Sequence, residues 1–138
     1  IFIREKRFGI SANLGSLFHR RLFENVMFPV GKNIEDTRTN YKLYLESYNS
    51  TYIHKDFYVY RIRKGSLNDE MNEKLLVDIL EALLERIAVL SLIGIDISEE
   101  KVNLIDRLQI RCLQAKAAGL EDTEIYRRCT EILYLIAR

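Results

Sequence analysis

Between Leu67 and Ile93 the sequence places apolar side chains at helical spacing around most of a helix's circumference, and this constrains the fold more than any other feature. Leu76, Leu80, Leu83, Ile87 and Leu90 recur at intervals of four and three residues. Leu75, Ile79 and Ala82 widen that stripe, while Leu84, Ala88 and Leu92 lie on a further side. A helix apolar on so many sides must be covered by neighbours on several of them. Gly65-Ser66 breaks the chain before it, and Ser66-Leu67-Asn68-Asp69 has capping-box spacing. The expected helix therefore runs from about residue 67 to 93, roughly 40 Å. Each aliphatic that it buries fully contributes about 1.5–3 kcal/mol of gross stabilisation.

The chain beyond that helix is also helical in pattern. Gly94 suits a left-handed closing residue. Ser98 is the expected cap of the next helix, with Glu99 and Glu100 in its first turn, where the helix dipole favours anions. Its inner face reads Val102, Ile105, Leu108, Cys112 and Ala115. Gly119 ends it, and Asp122 or Thr123 starts a last helix with Ile125, Cys129, Ile132, Leu133 and Ile136 inward. The short link predicts an antiparallel hairpin. A turn centred between Leu120 and Glu121 sets Cys112 and Cys129 at equal height as neighbouring core thiols. Ala115 and Gly119 have part of a helix-turn-helix spacing, but Arg128 stands where that motif wants an aliphatic.

The first half is of another kind. Twelve of the fourteen aromatic residues lie within the first 60 positions. Residues 1–64 carry 12 Lys/Arg against 6 Asp/Glu, whereas residues 65–138 carry 9 against 14. The total of +1 conceals this asymmetry. Leu14, Leu17, Phe18, Leu22 and Val26 predict a helix capped by Asn13 and ended by Pro29, with Val30 to Ile34 as a connection. A second helix starts at Asp36 or Thr37, with an inner stripe of Tyr41, Tyr44, Leu45, Tyr48 and Tyr52. Residues 57–63 favour a strand that pairs with residues 1–8 as a small β-ribbon, or else extend a helix.

The fold expected is mainly α: a helical bundle around a long buried central helix, with a C-terminal antiparallel hairpin and a small β-ribbon as an open alternative in the N-terminal half. It is one domain over residues 1–138, with a basic aromatic half (1–64) and an acidic helical half (65–138). The chain opens on Ile1 rather than Met and stops inside an apolar pattern, so it reads as a piece of something longer.

Signatures of catalysis are few. The two histidines, His19 and His54, fall in the first half, so the later helices offer none to a bundle metal site. No zinc spacing, phosphate-binding loop, dinucleotide fingerprint or nucleophile elbow occurs. Asp78, Glu81 and Glu85 share one side of the long helix and read as its solvated stripe, with Lys74 partly compensating. Asn49-Ser50-Thr51 matches a glycosylation acceptor, but two cysteines set no disulfide framework, so an intracellular, cytoplasmic setting is expected. No apolar run reaches membrane-spanning length.

Three basic clusters stand out: Arg4, Lys6 and Arg7; Arg20 and Arg21 beside His19; and Arg61, Arg63 and Lys64. Arg20 has Glu24 four residues on as an expected partner. Tyr41, Tyr44, Tyr48 and Tyr52 form a candidate interface, since tyrosine joins an apolar body to a polar tip. These features favour a non-catalytic helical protein-interaction or assembly module, not an enzyme, with a protein partner or self-association. The alternative is a nucleic-acid-associated regulatory domain binding through the basic aromatic half. No catalytic residue, metal ligand or cofactor site is expected.

Overall fold

A computed structural model describes residues 14–53, 55, 58, 59, 61 and 70–137. Those residues are mainly α, with no strand among them. The expected β-ribbon falls largely on residues outside that set. The chain divides into two compact units, Ile1–Ile62 and Arg63–Arg138.

In the first unit the helix expected over residues 14–26 is absent. A 3₁₀ helix of four residues, Arg20–Phe23, stands there instead. Gly15 takes φ 75°, which breaks a helix at its start. Leu17 is fully exposed, whereas Leu22 and Val26 are buried. The apolar spacing therefore gathers residues from separate backbone segments rather than from one helical face. Helix α1 (Glu35–Glu46) begins after Ile34, which adopts φ 51° and gives no side-chain cap. A β-branched residue in this left-handed region is strained. Asp36, an expected cap, lies inside the first turn and accepts from the Thr37 N–H at 2.7 Å. Among the described residues of this unit, Leu22, Val26 and Leu43 form a buried cluster, with Phe18 and Phe23 against them.

In the second unit, α2 (Glu73–Leu92) starts later than expected. Asn72 is the cap: its side-chain oxygen accepts from the Leu75 N–H at 2.9 Å. Residues 70–72 are not helical, so α2 has 20 residues and spans about 30 Å rather than 40. The expected capping box at Ser66–Asp69 lies outside the described residues. Leu75, Leu76, Ile79, Leu80, Ala82, Leu83 and Leu90 are buried as expected. Ala88 and Leu92 are exposed and Ile87 is half-buried, so the wrapping is narrower than the sequence suggests.

Helix α3 (Ser98–Ala117) and helix α4 (Glu124–Ile136) pack on α2 and on each other. Gly94 and Gly119 close α2 and α3 at φ 79° and 75°. Each is followed by an N–H that reaches back to the preceding helix, Ile95 to the Leu90 carbonyl at 2.9 Å and Leu120 to the Ala115 carbonyl at 3.0 Å. Both closures are Schellman motifs. Ser98 is the first helical residue rather than the cap; Asp96 accepts from its N–H at 3.0 Å and its hydroxyl at 2.7 Å. The buried face of α3 is Leu104, Leu108, Cys112 and Ala115, while Val102 is exposed and Ile105 half-buried. Of the two expected starts, Asp122 and Thr123, it is Thr123 that caps α4, its hydroxyl oxygen accepting from the Tyr126 N–H at 3.3 Å. Ile125 and Cys129 are buried, Ile132 and Leu133 half-buried, and Ile136 exposed. Leu76 and Leu80 from α2, Leu108 and Cys112 from α3, and Ile125 and Cys129 from α4 share one core. Among the described residues, no helix is long and apolar enough to cross a membrane.

Candidate functional site

The described part of the basic aromatic half builds one surface feature from consecutive residues. His19, Arg20, Arg21, Phe23 and Glu24 line an open hollow of about 480 Å³. Aromatic contacts brace its residues. The Phe23 ring stacks on Phe28 with centroids 6.1 Å apart, and Phe18 meets Phe23 edge-on at 6.0 Å. Phe18 also meets Tyr44 at 6.3 Å, which ties the hollow to α1. The Arg21 guanidinium lies 5.2 Å from the centre of the Tyr48 ring, a cation–π pair. His19 Nδ1 accepts from the Arg21 N–H at 3.3 Å. In a neutral imidazole this leaves the proton on Nε2.

The expected Arg20–Glu24 pair does not form. Four-residue spacing aligns side chains on an α-helix, whereas a 3₁₀ helix has three residues per turn and loses that alignment. Among the described residues, neither side chain has an ion-pair partner.

The other candidates fare unequally. Arg4, Lys6, Arg7, Arg63 and Lys64 lie outside the described residues, and Arg61 is exposed. The tyrosines do not form one stripe. Helix α1 ends at Glu46, before Tyr48 and Tyr52. Tyr41 is buried, Tyr44 half-buried, Tyr48 86% exposed and Tyr52 exposed. Burial raises the Tyr44 phenol above its ordinary pKa. The buried face of α1 is Thr37, Thr39, Asn40, Tyr41 and Leu43, more polar than the tyrosine pattern implies.

In the second unit the expected carboxylate stripe breaks up. Glu81 is exposed, Glu85 half-buried and Asp78 buried, its carboxylate 2.7 Å from Lys74 Nζ. A second buried charge was not legible in the sequence. Glu100 is buried and its carboxylate meets the Arg86 guanidinium at 2.6 Å, joining α3 to α2. Its first-turn position suggested only an exposed dipole contact, and no local pattern links residues 14 apart. Cys112 and Cys129 are both free, buried and hydrogen-bonded to each other. Burial pushes the Cys129 thiol up to about 12, reinforced by the neighbouring Cys112, and burial raises Cys112 as well. Among the described residues, no group of three or more His, Cys, Asp or Glu is placed to hold a metal ion.

Two bacterial relatives change the functional picture. The chain is 36% identical over 122 residues to glycosyltransferase GlyA of Streptococcus pneumoniae serotype 4, a match spanning 88% of this chain and 18% of the relative. It is 29% identical over 112 residues to glycosyltransferase GlyG of the same organism, spanning 80% of this chain and 37% of that relative. The chain thus spans well under half the length of either. Both matches are longer than either compact unit, so both cross the boundary between them. No family model matches the chain, and no solved structure does. The names of the relatives overturn the expectation of a non-catalytic interaction or assembly module, and with it the nucleic-acid alternative and the reading as no enzyme. Catalytic motifs absent from a segment are a poor guide when its relatives are much longer.

Proposed function

We propose that this chain is part of a glycosyltransferase, to which it contributes a helical region made of both compact units. The 36% identity to GlyA across 88% of the chain carries this reading. It is supported by the second match, which also runs through the basic aromatic half and into the acidic helical half. The basic half is then a constituent of the same protein region as the helices, rather than an independent binding tail.

Within that region α2 is read as the centre of a helical bundle flanked by the α3–α4 hairpin. Exposed apolar side chains on the hairpin, including Ile110, Leu113 and Leu135, offer a surface for a protein partner or a second copy. The free thiols of Cys112 and Cys129 suit a reducing, cytoplasmic setting.

The test is transfer itself. The full-length protein is incubated with a panel of activated sugars and candidate acceptors, and products are followed by mass spectrometry. Appearance of a glycosylated product is expected. No sugar released or transferred from any donor, by protein shown to be folded, would overturn the reading.

A further inference from the structure

We propose that Cys112 and Cys129 are a modification site, where a hydroperoxide joins the two thiols in one intrachain disulfide that locks α4 onto α3. The assignment is independent of the glycosyltransferase reading.

The two thiols come from neighbouring helices and meet. Cys112 belongs to the buried face of α3 and Cys129 to that of α4, and both sit in the core shared with α2. Both are free, and they are hydrogen-bonded to each other. Sulfurs in such contact face one another, the arrangement that a disulfide needs and that diverging Cβ directions forbid.

The pair falls where the second unit is held most lightly. Helix α4 has 13 residues against 20 in each of α2 and α3. Its buried residues are Ile125 and Cys129 alone, with Tyr126, Ile132 and Leu133 half-buried against the same core. Helix α3 buries Leu104, Leu108, Cys112 and Ala115 and is tied to α2 by the Arg86–Glu100 ion pair. A covalent bond at Cys129 therefore acts on the least anchored of the three helices.

The same light hold supplies access. In the closed bundle burial keeps both thiols protonated, and a protonated thiol is a poor nucleophile. Local opening of α4 brings the pair to solvent. Cys112, the less buried of the two, is reached first. Its sulfur attacks the peroxide: an S–O bond forms, the O–O bond breaks and one water leaves, giving a sulfenic acid. The Cys129 thiol then attacks that sulfur, so that an S–S bond forms, the S–O bond breaks and a second water leaves. Each sulfur gives up one electron, and the peroxide takes both. Exchange with a dithiol reverses the bond. In a reducing setting the pair rests as two thiols.

The test uses the full, folded chain. It is treated with hydrogen peroxide, unfolded, alkylated with N-ethylmaleimide and weighed by intact mass spectrometry. The expected product is a single chain lighter than the reduced form by two hydrogens, with no thiol left to alkylate and one peptide pair joining Cys112 to Cys129. A dithiol should restore both thiols. The linked form should melt higher than the reduced form. Amides of α4 around Cys129 should open about a hundredfold less often, the scale for closing a loop of roughly 15 residues. Cys112→Ala, checked for folding by circular dichroism, should lose the gain in melting temperature. Two thiols still open to alkylation, over-oxidation without a link, or a link between two chains overturns the proposal. So does a linked form that melts no higher than the reduced one, because the helices are then not placed to accept the bond. A gain that persists in Cys112→Ala overturns it as well.

Discussion

The two compact units hold themselves together by different means. In the second, helix ends and helix faces agree. Asn72 and Thr123 cap α2 and α4, Gly94 and Gly119 close α2 and α3, and all three helices contribute aliphatics to one core. In the first, α1 starts on a strained Ile34 with no side-chain cap and buries Thr37, Thr39 and Asn40. Among its described residues Leu22, Val26 and Leu43 form a buried cluster braced by aromatic contacts. Mutual support between local signals and packing marks a region specified by its own sequence. The first unit shows conflict between them at the start of α1. Local conflicts of this sort gather where a surface is shaped for something other than stability.

This contrast can be broken or sharpened by substitution. The largest effects belong to the second unit. Leu108→Ala removes a fully buried side chain from the shared core and should lower unfolding free energy by about 2–5 kcal/mol in denaturant titration. Arg86→Ala strips a partner from buried Glu100 and should lower it by about 3 kcal/mol. Replacing both charges with leucine should recover much of that loss. If Arg86→Ala is neutral, the ion pair does not tie α2 to α3.

A pH effect comes next. The Cys129 thiol is raised to about 12 in the folded chain, against about 8.5 when exposed. Folding therefore favours the protonated thiol. That contribution is complete below about pH 8.5 and is lost as pH climbs toward 12. Melting temperature should fall between pH 8 and pH 11 by less in Cys129→Ala than in the unaltered chain. Equal falls would contradict the burial of that thiol.

The first unit should respond in the opposite direction. Thr39 is buried and, among the described residues, its hydroxyl has no hydrogen-bond partner. Thr39→Val should therefore raise stability by about 1 kcal/mol, where a polar-to-apolar change on a satisfied group would lower it. The smallest effect is expected at Tyr48, 86% exposed beneath Arg21. Tyr48→Ala should change stability by less than about 1 kcal/mol.

Legibility in the sequence divides along the same line. Gly94, Gly119 and Thr123 were readable because their chemistry is local and their helices are strongly periodic. The neighbouring thiols were readable for a related reason: a short turn fixes the register of both flanking helices. The start of α2 was misplaced because Ser66 and Asn72 offer similar caps, and only the backbone of residues 70–72 separates them. The helix over 14–26 failed because helical spacing in a short window also arises from a 3₁₀ turn with extended flanks. The tyrosine stripe failed because α1 stops at Glu46, with no glycine or proline to mark it. Buried Asp78 and Glu100 were hidden because burial of a charge depends on long-range packing. Of the hollow, the His19-Arg20-Arg21 cluster was visible. That Phe23 and Glu24 join it depends on a 3₁₀ pitch which the residues do not announce.

The most direct measurement of the contrast is native-state hydrogen exchange along the whole chain. Amides in the interior of α2 and α3, around Leu80 and Leu108, should exchange only through the highest-energy opening. Those of α1, from Asn40 to Tyr44, should open at clearly lower free energy. Protection of α1 equal to that of α3 would contradict the account, since a strained start, a polar buried face and a small local core would then carry no penalty.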